Sequence, residues 1–254
     1  MSLNFLSWGD GPPLVILHGL FGSARNWTSI GKALADDYRV IAVDMPNHGS
    51  SPWQDDVSYT AMAQTVGSFL QGEGLGSAPV LGHSMGGKTA MALALMQPEL
   101  IGRLFVLDIA PVTYDHDNNL YIKAMEAVDL DNLTGRGDAD DTLAEWVDDP
   151  NLRGFFLLNL VRDGDGYVWQ INLPALKSGL SDLHSFPDFT GQSYDGPALF
   201  VGGEKSDYIL PAYHGLIGQL FPASDIQSIP GVGHWVHAEK PAEVTAAIRS
   251  FLEA

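Results

Sequence analysis

Six short apolar runs, separated by stretches of helical composition, constrain this chain more than any other feature. They are Leu14-Val15-Ile16-Leu17, Arg39-Val40-Ile41-Ala42-Val43-Asp44, Pro79-Val80-Leu81, Leu104-Phe105-Val106-Leu107-Asp108, Pro197-Ala198-Leu199-Phe200-Val201 and Ile226-Gln227-Ser228-Ile229. Continuous apolar runs of this length read as strands buried on both faces, which requires a mostly parallel sheet covered by helices on either side. Helices are expected at 26–36, 59–72, 86–96, 212–220 and 241–252. The last opens on Pro241, which suits the first turn of a helix, and has Ala242, Val244, Ala246, Ala247, Ile248 and Phe251 to bury. With 45% hydrophobic and 17% charged residues, the chain has the composition of a globular protein able to fill such a core.

The alternation breaks between about 112 and 192. That stretch is helical in composition around 117–128 and 140–161 and has no evident parallel-sheet strand. Lying between the fourth and fifth runs, it reads as an inserted helical cap, 112–192, over the carboxyl ends of the strands of a core formed by 1–111 and 193–254. Phe155, Phe156, Leu157, Leu160, Val168 and Trp169 read first as the core of that cap, and Gly135 to Asp141 as a solvated loop. Trp169 is also kept as a candidate substrate contact.

The chemistry begins at Gly82-His83-Ser84-Met85-Gly86-Gly87, directly after the third run and before the helix-forming Lys88 to Met96. G-x-S-x-G between a strand and a helix is a nucleophile elbow: small residues let the backbone turn sharply, and the serine hydroxyl projects outward. Serine is a weak nucleophile and needs a base, itself oriented by a third group. Of the eight histidines, His234 lies on the loop between the last run and the final helix, where it can reach back over the sheet. His237 is expected to support that loop or lie at the surface. His83 should point away from Ser84, and His18 should pack beneath the loop that follows it.

Two strand ends can aim a carboxylate at His234. Asp108 ends the fourth run, and Asp207 follows the fifth in Gly202-Gly203-Glu204-Lys205-Ser206-Asp207-Tyr208. In the hydrolases that such an elbow resembles, the acid usually follows the later strand as G-x-x-D; counted from Gly203 that slot holds Ser206, and a one-residue shift at a strand end turns the Asp207 side chain away. Asp108 is therefore favoured as the orienting acid, with Ser206 as a further hydrogen-bond partner and Asp207 as the rival. The oxyanion formed on attack needs backbone N–H donors already in place. Met85, next to the nucleophile, is one, and Leu20 on the loop after His18-Gly19 is the other, with Phe21 as its rival and as a candidate substrate contact. No phosphate loop, dinucleotide fingerprint or metal-ligand cluster stands out, so neither cofactor nor metal is expected. His116, between Asp115 and Asp117, reads as part of a solvated charge run.

The formal charge of −18 argues against nucleic acid, since phosphate binding needs a positive surface. No apolar run approaches membrane-spanning length and cysteine is absent, so a cytoplasmic protein working without a membrane partner is expected. Either a monomer or a homodimer fits.

The segments His18-Gly19-Leu20-Phe21-Gly22-Ser23, Asn47-His48-Gly49, Gly82 to Lys88, Asp108-Ile109-Ala110-Pro111-Val112 and Gly233 to Pro241 together resemble the α/β-hydrolase superfamily, and within it the bacterial YbfF-type esterases. The resemblance covers essentially the whole chain. It implies the α/β-hydrolase fold with a helical cap, and Ser84, Asp108, Ser206 and His234 working as an extended triad. It further implies a serine carboxylic-ester hydrolase acting through an acyl-enzyme on small to medium acyl esters, with thioesters open to the same attack. A CoA thioester would need a basic rim, for which Lys88, Lys123, Arg153 and Arg162 are the candidates. Cofactor-free perhydrolases, C–C hydrolases and lyases share the scaffold and form the alternative enzyme reading. A catalytically silent ligand receptor is the non-enzymatic one.

Overall fold

The computed structural model describes residues 2–115 and 118–253. His116 and its neighbour Asp117 lie outside the described residues. Among the described residues nine strands form: β1 (Phe5–Trp8), β2 (Pro13–Leu17), β3 (Arg39–Val43), β4 (Ala78–His83), β5 (Ile101–Leu107), β6 (Leu160–Asp163), β7 (Gly166–Trp169), β8 (Ala198–Gly203) and β9 (Ser224–Ile229). Seven build one sheet in the order β1-β3-β2-β4-β5-β8-β9. Every pairing in it is parallel except β1 against β3. All six apolar runs are strands of this sheet. β1 went unread because it is a four-residue edge strand with no fully buried position.

The strands are apolar throughout because successive side chains serve opposite faces. Val15, Leu17, Ile41, Val43, Val80, Leu104 and Val106 pack on one side, against α2 (Tyr59–Gly72) and α3 (Met85–Met96). Leu14, Ile16, Val40, Ala42, Leu81, Phe105 and Leu107 pack on the other, against α1 (Thr28–Leu34) and α11 (Pro241–Glu253). Each fully buried aliphatic side chain contributes about 1.5–3 kcal/mol relative to an exposed one. α3 is buried from Met85 to Leu95, so it is held rigidly between the sheet and its neighbours.

The stretch between β5 and β8 carries α4 (Asn118–Glu126), α5 (Arg136–Ala144), α6 (Pro150–Leu157), the antiparallel pair β6 and β7, α7 (Leu173–Ser178) and α8 (Leu180–His184). The helical expectation over 140–161 is thus interrupted, because Asp149 and Pro150 start a new helix and Leu160 leaves it for a strand. Gly164-Asp165 supplies the hairpin turn, with Gly164 at φ 58°. The segment read as a solvated loop, Gly135 to Asp141, mostly joins α5. Its Asp138 carboxylate accepts from the Thr134 backbone and hydroxyl and caps the helix start. α9 (His214–Leu220) and α10 (Val236–Glu239) complete the helices. Among the contacts that fasten this stretch to the rest of the chain, Asn159 Nδ2 donates to Phe21 O at 2.7 Å, and Tyr59 Oη to Leu183 O at 2.7 Å.

Candidate active site

Ser84 sits between β4 and α3 with φ 52° and ψ −118°, a conformation that costs free energy and persists only where the surroundings enforce it. The glycines of the motif make the enforcement possible. A Cβ on Gly82 would lie 2.2 Å from Gly86 O, and one on Gly86 would lie 2.3 Å from Leu17 O. The Ser84 N–H donates to Leu107 O at 3.1 Å, tying the elbow to β5.

Asp108 ends β5, also at positive φ (52°), with its carboxylate fully buried. Three donors converge on it. Gly203 N–H reaches Oδ1 at 2.8 Å, while Ser206 Oγ (2.5 Å) and His234 Nδ1 (2.7 Å) reach Oδ2. A carboxylate facing three donors can only accept, so Nδ1 of His234 carries the proton and Nε2 is the basic nitrogen. The ring is steadied by Tyr208, stacked on it at 4.0 Å between centroids. His83 Nε2 donates to the His234 carbonyl at 3.1 Å. Asp207, the rival acid, is exposed and takes no part in this cluster.

Ser84 and His234 line one cavity of about 300 Å³, together with Leu20, Phe21, Tyr121 and Phe156. Among the described residues Ser84 Oγ makes no hydrogen bond to His234, a contact that such sites often complete only with substrate in place. The two candidate oxyanion donors of this loop, Leu20 and Phe21, are separated by an interaction invisible in the sequence. The Phe21 N–H donates to His48 Nε2 at 3.2 Å, and Nδ1 of His48 donates to Pro46 O at 2.9 Å. Phe21 is thereby removed as a donor, while the Leu20 and Met85 N–H groups have no acceptor among the described residues. Burial pushes His48 down to about 3 and keeps it a neutral acceptor. His18 plays the matching part below the loop. It donates through Nδ1 to Gly19 O and accepts from Met45 N–H at Nε2.

Trp169 is not a wall of this cavity. It is buried, and its indole N–H donates to Met125 O at 3.0 Å, which makes it part of the packing between β7 and α4. The same is true of Leu160, whereas Phe156 reaches the cavity and Val168 is exposed. His237 is buried and stacked on Trp27 at 4.8 Å. The four cations considered for a basic rim do not build one. Lys88 is buried and gives its ammonium to the His184 (2.9 Å) and Ser185 (2.6 Å) carbonyls. Arg153 is held by Asp140, Arg162 lies over Tyr167, and Lys123 lines no part of the cavity. Among the described residues no three His, Asp or Glu side chains gather as metal ligands.

The family model for the alpha/beta hydrolase fold matches residues 12–241. The chain is an α/β-hydrolase. This α/β-hydrolase is 42% identical over 262 residues to the sn-1-specific diacylglycerol lipase ABHD11 of Mus musculus, covering 99% of this chain and 85% of that protein. It is 36% identical to the esterase YbfF of Escherichia coli, covering 95% and 92% of the two chains. Among solved structures it is similar to a marine microorganism esterase, with a TM-score of 0.94 and 38% identity over 98% of this chain and 99% of that one.

Proposed function

We propose that this α/β-hydrolase is a serine carboxylic-ester hydrolase in which Ser84, His234 and Asp108 form the catalytic triad, with Ser206 as a second partner of the acid. His234 Nε2 takes the Ser84 proton, and the hydroxyl oxygen attacks the ester carbonyl. The Leu20 and Met85 amides hold the oxyanion, helped by the positive end of α3. The imidazolium returns its proton to the departing alcohol. Water activated by the same nitrogen then releases the acid and frees Ser84.

One observation carries the reading: a buried carboxylate 2.7 Å from the imidazole whose ring shares a cavity with a strained, half-exposed serine. Kinship supports the bond type, since the mouse relative is named a diacylglycerol lipase and the bacterial one an esterase. Residues 112–192 act as the cap, with Tyr121, Leu152 and Phe156 bounding the space for small to medium acyl groups. The test is a chain-length series of p-nitrophenyl acyl esters, paired with labelling by a fluorophosphonate. Hydrolysis and labelling that both vanish in Ser84→Ala are expected. Labelling that survives that substitution, or hydrolysis that does, would refute the assignment.

A further inference from the structure

On the outer side of the His234 loop lies a second space of about 620 Å³, whose lining includes Asp149, Phe155, Trp235, His237 and Glu239. It shares Leu152 and Trp235 with the reaction cavity, so the two adjoin through one wall. This placement matters under the acyl-enzyme reading, on which the inference rests. His234 hands its proton to the leaving oxygen, so the alcohol portion of the ester must extend on the His234 side. The Leu20 and Met85 amides fix the carbonyl oxygen on the other.

The chemistry of this groove is uneven. Asp149 and Glu239 are its charged side chains, and among the described residues no Lys or Arg lines either it or the reaction cavity. Each carboxylate spends one oxygen on a local backbone N–H, Asn151 at 2.8 Å and Gly233 at 3.3 Å. Nearby cations are committed elsewhere: Arg153 to Asp140 and to the Val147 and Asp148 carbonyls, Lys240 to Glu243. The same lining carries two aromatic rings, Phe155 and Trp235, with centroids 4.5 Å apart and planes at 59°. His237 is 8% exposed, and its Nδ1 is a buried polar atom without a hydrogen-bond partner among the described residues. Burial pushes this imidazole down to about 3, so it adds no positive charge to the groove. Aromatic rings and carboxylates that line one space attract cations and repel phosphate.

We infer that this groove receives the alcohol portion of the substrate and selects esters of cationic alcohols, such as quaternary-ammonium alcohols, over uncharged ones and against phosphorylated leaving groups such as CoA. The experiment compares kcat/KM for butyrylcholine with that for its uncharged carbon isostere, 3,3-dimethylbutyl butyrate, on the intact chain. p-Nitrophenyl butyrate and butyryl-CoA are run alongside. A preference for the choline ester of about fivefold is expected at low salt. It should shrink in about 1 M salt, and butyryl-CoA should be the poorest substrate of the set. In Asp149→Asn/Glu239→Gln the ratio of the two esters should fall toward one; asparagine still caps α6.

An uncharged ester used as well as the choline ester would overturn the inference, as would a preference untouched by salt and by the double substitution. Cleavage of p-nitrophenyl butyrate in that case would leave the esterase reading standing and remove only the groove assignment. No cleavage of any ester would remove both.

Discussion

Replacing Lys88 with methionine isolates the most unusual charge in the molecule. Its side chain is almost fully buried, makes no ion pair among the described residues, and lies 4.8 Å and 5.3 Å from the ring centroids of Tyr114 and Tyr59. Burial pushes its pKa from 10.5 down to about 7. Below pH 7 both the folded and the unfolded chain hold the proton, and folding carries the whole cost of burying the charge. Between about 7 and 10.5 the unfolded chain binds one proton more than the folded one, so stability rises with pH through that window. At about 1.4 kcal/mol per pH unit, the wild type should gain on the order of 3 kcal/mol between pH 7 and pH 9.5, a gain that Lys88→Met lacks. Losing the bonds to the His184 and Ser185 carbonyls adds an offset of about 1–3 kcal/mol that does not change with pH. Urea unfolding of both proteins at the two pH values separates the slope from the offset. Parallel pH dependence in the two proteins would refute the argument, because it would mean that Lys88 keeps an ordinary pKa in the folded state.

Ser206→Ala removes one of three donors to Asp108 but leaves the His234 bond, so kcat should fall by about tenfold or less, with KM for p-nitrophenyl butyrate nearly unchanged. His48→Leu strips the Phe21 N–H of its acceptor and loosens the loop that presents Leu20. A loss in kcat of about 10²-fold, the scale of one oxyanion donor, is expected in the same assay.

The sheet was legible because its strands are buried on both faces: Val15-Ile16-Leu17 and Leu104-Phe105-Val106 can satisfy no other environment. β1 was not, since a half-exposed edge strand places no such demand on sequence. β6 and β7 did carry a signal, the Gly164-Asp165 turn between β-forming residues, but the strong helical composition just before it obscured the change of period. At the candidate site, Ser84 and His234 were singled out by motif and order along the chain, and Asp108 was favoured by a one-residue register argument together with the family resemblance. The choice of Leu20 over Phe21 depends on His48, which lies 27 residues further along and meets Phe21 only after folding. Trp169 fits its first reading as cap core, and its second, as a substrate contact, fell for a related reason. Sequence shows an aromatic residue in the inserted segment but not which neighbour, here Met125 O, its indole N–H will meet. The acidic groove joins α6 to the loop after β9, so its character depends on tertiary placement alone.

On the proposed mechanism Asp108, not Asp207, orients His234 toward Ser84. Steady-state kcat/KM on p-nitrophenyl butyrate for the wild type, Ser84→Ala, Asp108→Asn and Asp207→Asn tests it most directly. Loss of turnover is expected with Ser84→Ala and a fall of about 10³–10⁴-fold with Asp108→Asn, because an amide selects the wrong imidazole tautomer. Asp207→Asn, exposed and unconnected to the imidazole, should stay within about twofold of the wild type. A collapse of activity in Asp207→Asn with Asp108→Asn still active would contradict the account.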